Sequence, residues 1–63
     1  MDLTKRQLDV LALIVQGLSN KEIARQLNLG EGTVKVHVAA LFRALGVTSR
    51  SAAAAEGARR LNR

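Results

Sequence analysis

The segment 31–45 carries basic and small apolar residues at helical spacing. Lys35 and Val36 are adjacent, and Ala39 and Arg43 follow on the same side of a helix. The major groove admits one α-helix, in which lysine can donate to guanine O6 and N7 while valine or alanine contacts a thymine methyl group. Lys35, Val36 and Ala39 are therefore candidates for base contact, and Arg43 projects from the same outer face.

The start of this segment suits a phosphate group. Gly30-Glu31-Gly32-Thr33 would leave the N-terminus of the helix open, with unpaired N–H groups and the positive end of the helix dipole. The hydroxyl of Thr33 can add a contact to the DNA backbone. Because the outer face holds few polar groups, we expect modest sequence specificity, shared with DNA shape and phosphate positioning.

Composition excludes several other classes of function. The 63 residues hold ten Lys and Arg against five Asp and Glu, a formal charge of +5, and no cysteine. Disulfides, thiolate zinc sites and iron–sulfur clusters are excluded, and a single histidine cannot build a metal site. No acid–base pair, nucleophile constellation or phosphate loop is present, so we expect neither an enzyme nor a cofactor. Phe42 is the only aromatic residue, which disfavours stacking on single strands.

Length and apolar pattern predict one small domain. The longest unbroken apolar run, 10–15, is far below the roughly 20 residues of a membrane span. The N-terminus lacks the basic flank and apolar run of a secretory signal. We expect a cytoplasmic, soluble domain over residues 1–63 that is part of a longer protein.

Capping residues and glycines divide the chain into four helices. Thr4 and Gln7 have the spacing of a capping box, and Gly17 ends the first helix. Ser19 and Glu22 form the same pattern at the start of the second helix. The third helix should run from about Glu31 to Leu45, with Gly46 as its stop, and bury a stripe of Val34, Val38, Leu41 and Leu45.

The second and third helices have the layout of a helix–turn–helix. Ala24 allows close approach, Asn28 supplies the turn, and the β-branched Val34 locks the crossing. The predicted fold is therefore all-α, a four-helix bundle with a central helix–turn–helix and no wing.

The fourth helix should follow Ser49 and run towards Leu61, with Gly57 as a weak point. Its alanines are intrinsically strong helix formers. They also leave a stripe that could meet its own copy about a two-fold axis in a homodimer: Ala54, Ala58 and Leu61. The tail residues Arg59, Arg60 and Arg63 are solvated or make minor phosphate contacts.

Several segments of the chain together form the pattern of a known family. They are Leu3-Thr4, Val10-Leu11, Gly17-Leu18-Ser19-Asn20-Lys21-Glu22-Ile23-Ala24, Leu27, Thr33-Val34-Lys35-Val36-His37-Val38 and Leu45-Gly46-Val47-x-Ser49-Arg50. Through them nearly the whole chain, about residues 3 to 58, resembles the LuxR-type DNA-binding domain that also ends response regulators of the NarL/FixJ class. The resemblance implies a four-helix domain whose third helix reads the major groove and which usually binds DNA as a dimer, often through the fourth helix. An upstream receiver or sensor domain is implied as well, so residues 1–63 would be the DNA-binding fragment of a longer regulator.

Position by position, the resemblance implies that Lys35 and Val36 read bases. It assigns the phosphate backbone to Asn20, Lys21, Thr33 and His37, with Arg43 and Arg50 as further candidates. The chain departs from the family pattern where Gln7 replaces Glu, Gly30 replaces the capping Ser, and alanine stands at 39, 40 and 44.

Less specific interpretations of the same residues stay open. A charge of +5 is often only a solubility feature, Lys21 could be a plain exposed helix residue, and His37 could pack at the edge of the core. The competing function is a small helical protein-interaction or dimerisation module that uses the apolar first and fourth helices and binds no DNA.

Overall fold

The four predicted helices are present in the computed structural model, which describes residues 2–61. They are α1 (Lys5–Val15), α2 (Asn20–Leu27), α3 (Glu31–Leu45) and α4 (Arg50–Leu61). The described residues contain no strand, so the all-α prediction is confirmed. No helix within residues 2–61 combines the length and the apolarity needed to cross a membrane.

Reciprocal capping boxes begin the first two helices, as predicted. In α1 the Gln7 amide donates to Thr4 Oγ1 at 3.1 Å, and the Thr4 amide donates to Gln7 Oε1 at 2.9 Å. In α2 the Glu22 amide donates to Ser19 Oγ at 3.2 Å, and the Ser19 amide donates to Glu22 Oε1 at 2.8 Å. Gln7 thus supplies a neutral version of the box that Glu22 makes with a carboxylate, and each box satisfies two otherwise unpaired backbone donors.

The turns that end the first three helices use left-handed backbone. Gly17 has φ +88° and Gly46 has φ +70°, as expected for glycine just past a helix. Asn28, at φ 57°, is the only non-glycine residue with positive φ in the part of the chain that the structure describes. Asparagine tolerates this conformation, so the predicted turn of the helix–turn–helix is confirmed.

One core joins all four helices. Ala54 of α4 packs against a cluster from the other three helices. The largest side chains fully shielded from solvent in this cluster are Val10, Leu11, Ile23, Val34 and Leu41. Val38 is also buried, while Leu45 and Phe42 are half-buried and pack against the same cluster. The predicted inward stripe of α3 is therefore confirmed, with its last residue at the core edge.

Gly57, the expected weak point of α4, has a packing role in the structure. The helix runs through Gly57 without interruption, and the residue is buried where α4 crosses α1. A Cβ atom built there would lie 2.6 Å from Leu11 Cδ1 and 2.7 Å from Val15 Cγ2. The missing side chain is what allows the two helices to approach this closely.

Replacing Gly57 with Ala should destabilise the domain. Overpacking against Leu11 costs about 1–3 kcal/mol, and alanine returns about 1 kcal/mol of helix propensity. We therefore expect a net loss of up to about 2 kcal/mol in the free energy of unfolding, measured by far-UV circular dichroism in urea.

Gly32→Ala is the matched control, because a Cβ at that helical position would meet nothing within 4 Å beyond its chain neighbours and the backbone of its own helix. This variant should be as stable as the wild type or slightly more stable. A Gly57→Ala protein that unfolds at or above the wild-type urea midpoint would contradict the assigned close approach.

Candidate nucleic-acid interface

Burial of one side of α3 determines which residues it presents outward. The face opposite the buried stripe is exposed and carries Lys35, Val36, Ala39 and Arg43. Val36 is the most exposed large apolar residue of the described chain, at 67%. A valine this open contributes little to the core of the domain.

Some basic side chains of the described residues form salt bridges with acidic residues, and others do not. On α1, Lys5 and Arg6 pair with Asp9, and on α4, Arg59 and Arg60 pair with Glu56. Within residues 2–61, by contrast, no salt bridge occupies the basic side chains of α2 and α3, which are Lys21, Arg25, Lys35 and Arg43. Unpaired cations on the helix–turn–helix are available to an anionic partner.

The N-terminus of α3 is open, as the sequence predicted. Gly30 is the N-cap, with extended backbone at φ −75° and ψ 153°, and no side chain caps the helix. Thr33 is exposed in the first turn, and the space around Gly32 is empty. Glu31 is also exposed in this turn and would repel a phosphate. The approach over Gly32 and Thr33 is therefore the favourable one.

The N-terminus of α2 brings together two of the predicted backbone-contacting residues and a residue from α4. Lys21 is exposed and Asn20 is half-buried. The guanidinium of Arg50 donates from Nη1 to Asn20 Oδ1 and from Nη2 to the Leu18 carbonyl, both at 2.9 Å. Arg50 thus bonds within the protein at the site where the sequence suggested a phosphate contact.

His37 and the proposed dimer stripe of α4 differ in how far they are exposed to solvent. His37 is half-buried on the flank of α3. Of the proposed dimer stripe, Ala54 packs against the core of its own chain, whereas Ala58 and Leu61 are exposed. Arg63 lies outside the described residues.

The sequence analysis missed the bond between Arg50 and Asn20. The two residues are 30 positions apart, and neither residue type nor local spacing indicates such a pair. The resemblance marked both positions for DNA contact without relating them. The one usable signal was a cation in the first turn of α4, where it opposes the helix dipole and needs another reason to be there.

No group of three or more His, Asp or Glu side chains within residues 2–61 is arranged to hold a metal ion. The chemistry of the site is that of hydrogen-bond donors, positive charge and small apolar contacts. These are the groups that bind phosphates and base edges.

The family model described as "Bacterial regulatory proteins, luxR family" matches residues 1–56. The chain belongs to this family. The predicted LuxR-type resemblance is confirmed, and the family is one of transcription regulators with a DNA-binding helix–turn–helix, not a family of enzymes.

Similar proteins include the nitrate/nitrite response regulator NarP of Escherichia coli K12. It is 61% identical over 51 residues, which cover 81% of this chain and 24% of NarP. The transcriptional regulatory protein LnrK of Bacillus subtilis 168 is 50% identical over 54 residues, covering 86% of this chain and 24% of LnrK. The chain spans about a quarter of the length of these relatives.

Among solved structures, the fold matches the crystal structure of the response regulator ChrA of a heme-sensing two-component system. The TM-score is 0.86 at 37% sequence identity, covering 98% of this chain and 30% of ChrA. The match covers nearly the whole chain, so it includes the helix–turn–helix and the helices packed around it.

The charged capping box of α2 predicts a pH dependence of stability. The Ser19 backbone N–H, followed by the Ser19 side chain and more weakly by Arg25, lowers the pKa of the Glu22 carboxyl below its usual range. The stabilisation is therefore complete above the ordinary range of Glu and is lost as the pH falls through the folded-state pKa. Glu22→Gln keeps the neutral box that Gln7 already forms in α1, so this variant should lose less stability in acid.

The comparison is made from urea midpoints at neutral pH and at about pH 3. Glu56, whose pKa is lowered by Arg59 and Arg60, is present in both proteins, so its contribution cancels in the difference. If the two proteins lost stability in parallel on acidification, Glu22 would not be the source of the dependence.

Proposed function

We propose that this chain reads double-stranded DNA with α3 in the major groove. The observation that carries the proposal is the outer face of α3, where Lys35, Val36, Ala39 and Arg43 are exposed while the opposite face is buried. A helix held in this way can enter a groove without disturbing its own core.

In this proposal the base contacts come from the middle of α3. Lys35 donates to guanine O6 or N7, and Val36 and Ala39 contact thymine methyl groups. Only Lys35 can form directional bonds, so one strongly preferred base pair in each half-site is expected. The remaining preference comes from the shape of the DNA.

Phosphate contacts surround this face. We assign them to Thr33 at the open start of α3, to Asn20 and Lys21 at the start of α2, and to His37 and Arg43 along α3. The cations on these helices are free of salt bridges among the described residues, which supports the assignment. Arg50 is adjacent to this set through its bond to Asn20.

The biological setting we propose is the DNA-binding output domain, over residues 1–63, of a longer two-component response regulator in the cytoplasm. The names of NarP and ChrA as response regulators, and the chain's span of about a quarter of NarP, support a receiver or sensor domain elsewhere in the full protein. The exposed apolar residues Leu8 and Val15 on α1 offer a surface for such a neighbour.

We further propose that two copies bind an inverted repeat as a homodimer through α4. Ala58 and Leu61 are exposed for this contact, and Ala54 lies on the same stripe at the edge of the core. The stripe is small, so the dimer should form on DNA and be weak without it.

Lys35→Ala and Lys21→Ala should affect DNA binding differently. On a duplex selected from a random pool, loss of Lys35 should remove about 1–3 kcal/mol of preference at one base position. Loss of Lys21 should weaken binding to all sequences about equally. It should also lower the salt slope, the steepness with which log affinity falls as log salt concentration rises, by about 1. Fluorescence anisotropy with the selected duplex and a scrambled duplex, over a salt series, measures both effects.

Lys5→Ala is the matched control, because it removes the same charge from α1, where Lys5 pairs with Asp9. Its affinity and preference should stay near the wild type. If Lys35→Ala left both affinity and preference unchanged, the assignment of the reading face would be wrong. The competing interaction module would then be favoured.

A further inference from the structure

The hydrogen bonds of Arg50 are unlike the other side-chain bonds of the domain. Elsewhere in residues 2–61, every side-chain hydrogen bond joins residues three or four positions apart within a cap or a helix turn. Arg50 alone connects separate elements, reaching from the first residue of α4 to Asn20 and to the Leu18 carbonyl. These bonds fix the start of α4 to the start of α2.

The position of Arg50 is electrostatically unfavourable for α4 itself. A cation in the first turn opposes the helix dipole, and this turn holds no acidic residue to compensate. The guanidinium is partly buried and directed at two acceptors outside α4. The benefit of Arg50 therefore lies at the loop between α1 and α2 and at Asn20, and not in its own helix.

The chemistry of the pair determines how the Asn20 amide is oriented. A guanidinium has only donors, so the group of Asn20 that faces it must be the carbonyl oxygen. Once Oδ1 accepts from Arg50, the free part of the side chain is the NH₂ group with its two donors. Donors are what a phosphate oxygen requires, whereas an amide turned the other way would present its oxygen and repel the phosphate.

We propose that Arg50 is a positioning residue for DNA binding: it holds the Asn20 amide with its donors free for a phosphate. This inference rests on the proposed function, in which Asn20 contacts the DNA backbone. It differs from a direct phosphate contact by Arg50, because the guanidinium acts through Asn20 and its charge is not the active feature.

The two roles differ in salt dependence and in tolerance of lysine. A direct contact by Arg50 would release counterions, so Arg50→Ala would lower the salt slope by about 1, and Arg50→Lys would keep most of the affinity. A positioning role changes the slope by clearly less than 1, because Asn20 is neutral and the guanidinium does not itself neutralise a phosphate. Lysine would fail to substitute, because a single ammonium lacks the planar fork that spans both acceptors.

The experiment is a double-mutant cycle in the 63-residue chain. Affinities of the wild type, Arg50→Ala, Arg50→Lys, Asn20→Ala and the Arg50→Ala/Asn20→Ala double variant are measured on a duplex selected from a random pool by the wild type. The measurements cover a salt series, and circular dichroism establishes that each variant is folded at the assay temperature.

Each single variant should lose about 2- to 10-fold in affinity on every sequence, as for one hydrogen bond. The double variant should be no weaker than Arg50→Ala, because both changes remove the same contact. If Arg50 only stabilised the fold, the two substitutions would act independently. The fold-losses in affinity of the single variants would then multiply in the double variant. If Arg50→Ala fails to fold, the same cycle with Arg50→Lys gives the same test.

Three results would each overturn the positioning role. They are wild-type affinity in Arg50→Lys, a salt slope lower by about 1 in Arg50→Ala, and losses that multiply in the double variant. If these outcomes occurred while Lys35→Ala still relaxed base preference, only the role of Arg50 would be lost. If the wild type failed to distinguish the selected duplex from a scrambled one, the proposed function and this inference would both fail.

Discussion

The packing of α3 is the constraint on which the rest of the structure depends. Val34 and Leu41 are fully buried and Val38 nearly so, and these three residues fix the rotation of the helix about its axis. Every outward side chain follows from this rotation, including Lys35 and Val36. A shift of one residue in the buried stripe would turn this face towards the core, so the packing of the core and the composition of the candidate interface cannot vary independently.

The other helices support this arrangement through the core and through contacts with one another. Ile23 of α2 lies in the same core as Val34, and the left-handed turn at Asn28 sets the crossing of the helix–turn–helix. In addition, α4 crosses α1 closely at Gly57, and its first residue, Arg50, bonds to the start of α2. The start of α2 is thus held by both its own core residue and α4. The domain has paired charges on α1 and α4, while the described cations of α2 and α3 are left without salt bridges.

Local signals in the sequence predicted the helices well, because caps, turn residues and the apolar stripe act over three to four positions. The capping boxes at Thr4 and Ser19, the turn at Asn28 and the buried stripe beginning at Val34 are all of this kind. Two features could not be predicted in the same way. Gly57 has the sequence signature of a helix weak point, and only the approach of α1 shows why glycine is needed there. The bond from Arg50 to Asn20 joins residues far apart in the chain, and its geometry depends on how α4 packs.

An NMR titration of the isotopically labelled chain with its selected duplex tests the central claim most directly. We expect amide shift changes on the outer face of α3, from Gly32 to Arg43, and at the start of α2, with α1 little affected. Shift changes confined to α1 and α4, with α3 unchanged, would contradict this account and indicate an interaction module that does not read DNA.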